Sequence, residues 1–236
     1  IAFGAESAAY KLVTLVFYVA FFCLMGIAVY RARRYRLTRT TWRGIRGGMS
    51  GSPSSFAWLW IWTSMLIPVT AGWIVPWRAN RLQERLTSET TFGDRSFTYQ
   101  GSSSKLYGPF AVLWIGSIVL YVAGIGLVSL VMWKDAMMAA ERHVPFRPSA
   151  VQIAAIMAII FGGLTLIAIV GAWYRARMLN MFAAFTGIDS GRLKLTASAG
   201  GLIGLVITNL LITLFTLGIL APVAQARVVK YLIDRL

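Results

Sequence analysis

The sequence is poor in the residues that build most catalytic and metal sites. Its 236 residues include one histidine, His143, one cysteine, Cys23, and eight acidic residues. One cysteine cannot form a disulfide within the chain, and one histidine supplies only one of the three or four ligands of a protein zinc site. The motifs H-E-x-x-H, G-x-S-x-G and the phosphate-binding P-loop are also missing. We therefore expect no enzyme activity, no metal and no cofactor.

Charged residues are scarce overall and concentrated in short clusters. They make up 13% of the chain, whereas soluble domains carry about 25%, and hydrophobic residues make up 58%. Five uncharged stretches cover residues 12–30, 47–77, 106–133, 149–174 and 195–226. Because about 20 helical residues cross a hydrocarbon core, the first, third and fourth stretches each fit one span. The second and fifth are longer and are broken by glycine and proline.

Basic residues outnumber acidic ones by 23 to 8, which gives a net charge of +15. The arginines lie beside apolar stretches, so we expect them to meet anionic membrane lipids rather than nucleic acid. Their simplest role is to orient the chain, and the alternative is docking of lipid headgroups or of an acidic partner, either another membrane protein or a second copy. The candidate docking residues are Arg31, Arg33, Arg34, Arg36, Arg43, Arg46, Arg81, Arg175, Arg177 and Arg227.

The two broken stretches share one pattern, T-x-G-x-x-x-P-x-x-x-x-R. It begins at Thr70 in one copy and at Thr216 in the other, 146 residues later. The Y-R-A-R sequence at 30–33 recurs at 174–177, 144 residues later. Two matches with nearly equal offsets predict an internal duplication within a single membrane domain, residues 1–236. Repeat one would cover about 10–86 and repeat two about 151–236, with a connecting span at about 106–133. The predicted structural breaks are Thr70, Gly72, Pro76, Thr216, Gly218 and Pro222.

Three polar loops share a threonine, a glycine turn and an arginine. They lie at residues 41–46, 91–95 and 186–192. After the second loop Phe97 alternates with Tyr99, and after the third Leu193 alternates with Leu195. Alternation with period two predicts short β-strands or hairpins, which we expect at the membrane surface.

The charge distribution discriminates between two topologies. If all five stretches span, the two sides of the membrane carry 13 and 10 basic residues. If the two broken stretches enter and leave on one side, that side carries 19 and the other four. The positive-inside rule favours the second arrangement. We therefore predict an all-α multi-pass membrane protein with three full transmembrane helices and two broken, re-entrant or interfacial hydrophobic hairpins, with five full spans as the alternative.

Polar residues inside the apolar stretches are few. Thr208 and Asn209 are the clearest, and Asn209 either bonds a neighbouring helix or contacts a substrate. None of the five stretches contains an aspartate, glutamate or histidine. Proton-coupled carriers normally place one at membrane depth, so a proton-driven transporter is disfavoured.

Several segments together resemble a known family. They are T-L-G-I at 216–219 followed by Pro222, R-M-L-N at 177–180, and T-F-G at 91–93 leading into Phe97. In these segments the chain resembles the YjgN-like inner-membrane family of bacteria, over nearly its whole length. It departs where Val223 follows Pro222 in place of the family's usual tryptophan, and where residues 70–72 read T-A-G rather than T-L-G. The resemblance implies a location and an architecture but no reaction.

The sequence therefore predicts a multi-pass protein of the bacterial inner (cytoplasmic) membrane. We expect a non-enzymatic accessory or scaffold subunit that acts through apolar helix faces and a basic cytoplasmic surface. The alternative is a passive conduit or a lipid-handling transporter built on the duplicated broken helices.

Overall fold

A computed structural model describes residues 8–189 and 191–235, and this part of the chain is mainly helical with one small sheet. In chain order the elements are α1 (Ala8–Arg39), β1 (Thr41–Trp42), β2 (Ile45–Met49), α2 (Pro53–Val69), α3 (Val75–Ser88), β3 (Thr90–Phe92), β4 (Arg95–Tyr99), α4 (Ser104–Glu141), α5 (Ala150–Phe185), β5 (Thr186–Ile188), β6 (Gly191–Arg192), α6 (Ala199–Phe215) and α7 (Ala221–Ile233).

Helices α1, α4 and α5 are long and apolar enough to cross a membrane. They contain 32, 38 and 36 residues, whereas about 20 suffice for the hydrocarbon core. They coincide with the stretches 12–30, 106–133 and 149–174, so the prediction of three long apolar helices is confirmed. Each helix also extends beyond its apolar stretch, and α5 continues through Arg175 and Arg177 to Phe185.

The two longer stretches do not form single long helices. The first is divided among β2, α2 and the start of α3, and the second contains α6 and the start of α7. Residues 70–74 separate α2 from α3, and residues 216–220 separate α6 from α7. The T-x-G-x-x-x-P pattern therefore marks a helix end, a tight turn and a new helix start at both places.

The three polar loops form three β-hairpins that join into one antiparallel sheet in the order β1 to β6. Neighbouring β-hairpins pair in the same way. Met49 of β2 lies opposite Thr90 of β3, and Tyr99 of β4 lies opposite Thr186 of β5. One residue beyond each pair, the two strand pairings share a backbone hydrogen bond of the same length. Ser50 N donates to the Glu89 oxygen and Gln100 N donates to the Phe185 oxygen, both at 3.0 Å. The strand predicted at Phe97 and Tyr99 is present as β4, whereas the strand predicted at Leu193 and Leu195 is wrong, because β6 ends at Arg192. The hairpins form one continuous sheet, since each hairpin completes the hydrogen bonds of the next.

The described chain divides into two compact units. The first contains α1, the sheet, α2 and α3, and its core is formed by Tyr30, Met49 and Phe56. Helix α1 approaches α2 closely at Gly26, where an added Cβ would lie 3.0 Å from the Cα of Ala57. A glycine here allows two helix backbones to pack without a side chain between them.

The second unit contains α4, α5 up to Asn180, α6 and α7. Phe110 of α4 packs edge-on against Tyr174 of α5, with ring centres 5.7 Å apart. Near the other end of the pair, Gln152 donates to the Asp135 carboxylate at 2.7 Å. These contacts join the ends of two long helices whose middle segments are not buried.

Candidate functional site

The turns between α2 and α3 and between α6 and α7 have the same backbone conformation. Ala71 and Leu217 have φ values of 47° and 49°, and Gly72 and Gly218 have 87° and 85°. Positive φ suits glycine and strains other residues. Both turns therefore hold a strained residue directly before an unstrained glycine.

The hydrogen bonds of the two turns also correspond. In the first, Thr70 Oγ1 donates to the Leu66 oxygen at 2.8 Å and accepts from Ile74 N at 3.3 Å. In the second, Thr216 Oγ1 donates to the Ile212 oxygen at 2.6 Å and accepts from Leu220 N at 3.3 Å. One threonine hydroxyl thus bridges the end of one helix and the start of the next.

The glycine and proline complete each turn. Gly72 N donates to the Ile67 oxygen, and Gly218 N donates to the Thr213 oxygen, both at 2.8 Å, as in a Schellman helix end. Pro76 and Pro222 occupy the first turn of α3 and α7, where a missing amide hydrogen costs nothing.

Helix α3 runs back along α2 from the turn. Arg78 Nη2 donates to Ser64 Oγ at 2.8 Å near the turn, and Arg85 Nη2 donates to Ser55 Oγ at 2.6 Å near the start of α2. These contacts fix α2 and α3 as an antiparallel hairpin. The end of α3 therefore lies at the level where α2 began.

Arg78 has the least satisfied cation of this first hairpin. Its guanidinium lies over the Trp60 ring, 5.4 Å from the ring centre, and its Nε is buried with no hydrogen-bond partner. Among the described residues no carboxylate forms an ion pair with it. No sequence signal separates Arg78 from the other arginines beside apolar stretches, because only the fold brings it opposite Ser64.

The second helical hairpin, formed by α6 and α7, has a different polar contact. Asn209 Nδ2 donates to the Ala224 oxygen of α7 at 3.0 Å, while its Oδ1 is buried without a partner. Thr208 is exposed, and its hydroxyl bonds to the Gly204 oxygen within α6. At the open end of the hairpin, Thr196 N donates to the Arg235 oxygen at 3.0 Å. Asn209 therefore joins α6 to α7, and Thr208 stays within its own helix.

A partly buried network of a hydrogen bond and an ion pair joins the end of α3 to α1. The hydroxyl of Tyr30, a side chain with no exposed surface, donates to Glu89 Oε2 at 2.5 Å. The other carboxylate oxygen of Glu89 pairs with Arg85 Nε at 2.8 Å. Sequence reasoning did not identify Glu89, because its partner is 59 residues away.

A second buried network joins α3 to β4. Tyr99 donates to Asn80 Oδ1 at 2.7 Å, and Asn80 Nδ2 donates to the Gly101 oxygen at 3.2 Å. Burial raises the pKa of the Tyr99 phenol, and the charge of Glu84 raises it further. Tyr99 is therefore a neutral hydrogen-bond donor at any physiological pH.

Most of the predicted docking arginines are exposed. Arg31, Arg34 and Arg36 lie on the last turns of α1, Arg43 and Arg46 on the first β-hairpin, and Arg175 and Arg177 on α5. Arg33 and Arg227 are half-buried, and the Nε of Arg33 is buried without a partner. Arg81 pairs with Glu84 at 2.9 Å.

Within the first unit, the arginines of α1 and of the first β-hairpin are close in sequence, because α1 leads directly into β1. Arg81 belongs to the same unit on α3, whereas Arg175, Arg177 and Arg227 belong to the second unit. In the described part of the chain, no group of three or more histidine, cysteine, aspartate or glutamate residues could hold a metal ion.

Large apolar side chains dominate the exposed surface of the helices. On α2, Trp58 is 68% exposed and Val69 is 78% exposed, and Leu217 at the second turn is 92% exposed. Water-facing helices do not present such continuous apolar surface. The fold and these surfaces define a mainly helical protein with three helices that suit a membrane.

The chain belongs to DUF898, a family of bacterial proteins of unknown function, whose family model matches residues 1–236. No curated protein and no solved structure matches it.

Proposed function

We propose that this protein is a non-enzymatic scaffold or accessory subunit of the bacterial inner membrane. Three helices span the bilayer, two helical hairpins enter it from the cytoplasmic side and return, and a basic sheet lies on the cytoplasmic face. Anionic lipids and one acidic protein partner bind this basic face. The YjgN-like resemblance agrees with this location.

The pairing of β2 with β3 carries the proposal. Strand β2 precedes the first hairpin and β3 follows it, and the two are hydrogen-bonded neighbours from Gly47 and Phe92 to Met49 and Thr90. Two strands that are hydrogen-bonded to each other cannot lie on opposite sides of a bilayer. Separating them would leave backbone groups unpaired, and each such group in hydrocarbon costs several kcal/mol. The hairpin formed by α2 and α3 therefore starts and ends on one side.

The second hairpin follows the same path. The bond from Thr196 N to the Arg235 oxygen brings the chain before α6 next to the chain after α7. Tyr231 adds a second link, since its hydroxyl contacts the backbone of Ser198. Two hairpins with matched turns and matched closures support an origin by internal duplication.

This path places 19 of the 23 basic residues on one side of the membrane. The remaining four are Lys11, Lys134, Arg142 and Arg147. The positive-inside rule assigns the rich side to the cytoplasm, where each exposed arginine near an anionic leaflet contributes about 1 kcal/mol of attraction.

A binding role follows from the chemistry that these surfaces offer. The described side chains provide cations, apolar helix faces and paired hydroxyls, and the partly buried carboxylate of Glu89 already has two partners. Such surfaces bind lipids and proteins, and they supply no group positioned as a nucleophile or general base.

A purification experiment tests the scaffold role. The tagged protein is extracted from native membranes in a mild detergent, alongside a variant with Arg43→Gln and Arg46→Gln on the exposed first β-hairpin. We expect one partner in fixed stoichiometry with the natural protein, and its loss from the variant. The control is Lys134→Gln on α4, which removes a basic charge on the other side and should leave the partner bound.

The contrary result is a protein that purifies without any partner and carries solute across liposome membranes. That outcome would favour the alternative, a passive conduit or lipid-handling transporter.

A further inference from the structure

The first hairpin carries a cation whose hydrogen-bonding capacity is unfilled. A guanidinium has five N–H donors. One donor of Arg78 reaches Ser64 Oγ at 2.8 Å, and its Nε is buried with no partner. Ser64 cannot neutralise the charge, because its hydroxyl is uncharged and only accepts this hydrogen bond while donating to the Trp60 oxygen at 2.6 Å.

The contrast with the neighbouring arginines of α3 is clear. Arg81 pairs with Glu84, and Arg85 pairs with Glu89. Arg78 lacks such a carboxylate among the described residues, although Trp60 covers one face of its guanidinium. A half-buried cation without a counter-ion is costly, so an anion from outside the chain would stabilise it.

The surroundings of Arg78 identify the kind of anion. Arg78 lies about 15 Å along α3 from its end at Ser88, at 1.5 Å per residue. The outer surface of the same hairpin is apolar, with Met65 59% exposed and Val69 78% exposed. A ligand that meets a cation beside exposed hydrocarbon-like side chains must itself combine an anionic group with apolar chains.

The second hairpin lacks this feature. The pattern offset of 146 residues aligns Arg78 with Ala224, whose backbone oxygen accepts from Asn209. The two helical hairpins share a turn conformation and a backbone hydrogen bond that joins their two ends, but only the first has an unpaired cation at this position. The feature is therefore not required for the hairpin to fold.

We propose that Arg78 binds the phosphate of one anionic phospholipid, with Trp60 stacked on its guanidinium and the lipid chains along the apolar face of α2. The free N–H groups of the guanidinium donate to the phosphate oxygens, a geometry for which arginine is well suited. The inference rests on the proposed insertion of the hairpin into the cytoplasmic leaflet.

The test measures lipid binding by the full-length protein in a neutral detergent. Native mass spectrometry follows titration with dioleoylphosphatidylglycerol, with dioleoylphosphatidylcholine, and with glycerol phosphate as a headgroup without chains. The variants are Arg78→Gln and Arg78→Lys, and the matched control is Arg85→Gln, which removes the same charge from the same helix at a position that is already paired with Glu89 and is not a candidate docking residue.

We expect Arg78→Gln to weaken phosphatidylglycerol binding at least about tenfold, since hydrogen bonds to a charged group are worth about 1.5–3 kcal/mol and 1.4 kcal/mol is tenfold. Arg78→Lys keeps the charge but loses the planar fork of guanidinium donors, so it should weaken binding about threefold. Arg85→Gln should change it less than about twofold, because Glu89 already neutralises that charge. The natural protein should bind phosphatidylcholine more weakly and glycerol phosphate not measurably.

Equal effects of Arg78→Gln and Arg85→Gln would overturn the assignment, and so would binding of glycerol phosphate as tight as that of the lipid. If Arg78→Gln does not fold, unchanged binding by Arg78→Lys would overturn it as well. Side-specific labelling at position 88 reports the path of the hairpin separately. A hairpin that returns to the basic side without binding the lipid would contradict this inference and leave the proposed function in place.

Discussion

Removing the Tyr30 hydroxyl tests the network that holds the end of the first hairpin against α1. In Tyr30→Phe the ring still packs on Phe56, with centres 5.5 Å apart in the natural protein, so little volume is lost. The Glu89 carboxylate loses a buried donor at 2.5 Å and keeps Arg85 at 2.8 Å. A hydrogen bond to a charged group is worth about 1.5–3 kcal/mol.

We therefore expect Tyr30→Phe to lower the free energy of unfolding by about 1.5–2.5 kcal/mol. For a chain of this size that corresponds to a fall in Tm of about 3–10 °C, measured by thermal unfolding in one fixed detergent. The matched control is Tyr35→Phe, which removes a hydroxyl from an exposed side chain of the same helix and should shift the Tm by less than about 1 °C.

A double-mutant cycle with Glu89→Ala separates the hydrogen bond from other effects. The coupling between the two substitutions should be about 1 kcal/mol or more, because each removes the same interaction. Additive effects, or equal Tm values for Tyr30→Phe and Tyr35→Phe, would refute the reasoning.

Three further predictions concern the first unit, each read out as a Tm in the same detergent. Gly72→Ala should destabilise the protein by about 1–2 kcal/mol, because Gly72 has a φ of 87°. Ala71→Gly should stabilise the protein by about 0.5–1 kcal/mol, because Ala71 has a φ of 47°. A higher Tm for Gly72→Ala than for Ala71→Gly would contradict the turn geometry. Gly26→Leu should cost about 1–3 kcal/mol through its contact with Ala57, while the control Gly124→Leu, at a site with open space, should cost little. Asn80→Leu should cost about 1–3 kcal/mol by leaving the buried Tyr99 hydroxyl unpaired, and adding Tyr99→Phe should recover part of that loss; no recovery would mean that the bond is unimportant.

The positions of the helix breaks could be predicted from the sequence because they depend on local chemistry. The pattern beginning at Thr70 predicts a helix end, since glycine tolerates positive φ and proline starts a new helix. The structure places a turn at each copy of the pattern. The three long apolar helices were predictable for a similar reason, because length and composition alone define them.

The joining of the three β-hairpins into one sheet could not be predicted from local patterns. Alternation at Phe97 and Tyr99 indicates a strand but not its neighbour. The pairing of Tyr99 with Thr186 joins residues that are far apart in sequence, so no local pattern specifies it. Period-two patterns identify strands, and tertiary structure chooses their partners.

The polar contacts of the candidate site were also beyond sequence reasoning. In the sequence Arg78 is one of several basic residues that follow an apolar stretch, and only the turn brings it opposite Ser64. Whether two helical residues meet across a turn depends on the conformation of the turn and on the phase of both helices. Asn209 could be singled out from its sequence context, but its partner in α7 could not.

Side-specific cysteine labelling tests the central claim most directly. In a Cys23→Ala background, which has no other cysteine, single cysteines replace Ser50 before the first hairpin, Ser88 at its end, and Val144 in the loop between α4 and α5. A membrane-impermeant thiol reagent is applied to intact cells or to inverted vesicles. Positions 50 and 88 should react only from the cytoplasmic side and position 144 only from the opposite side. Reaction of position 88 from the periplasmic side would contradict the account.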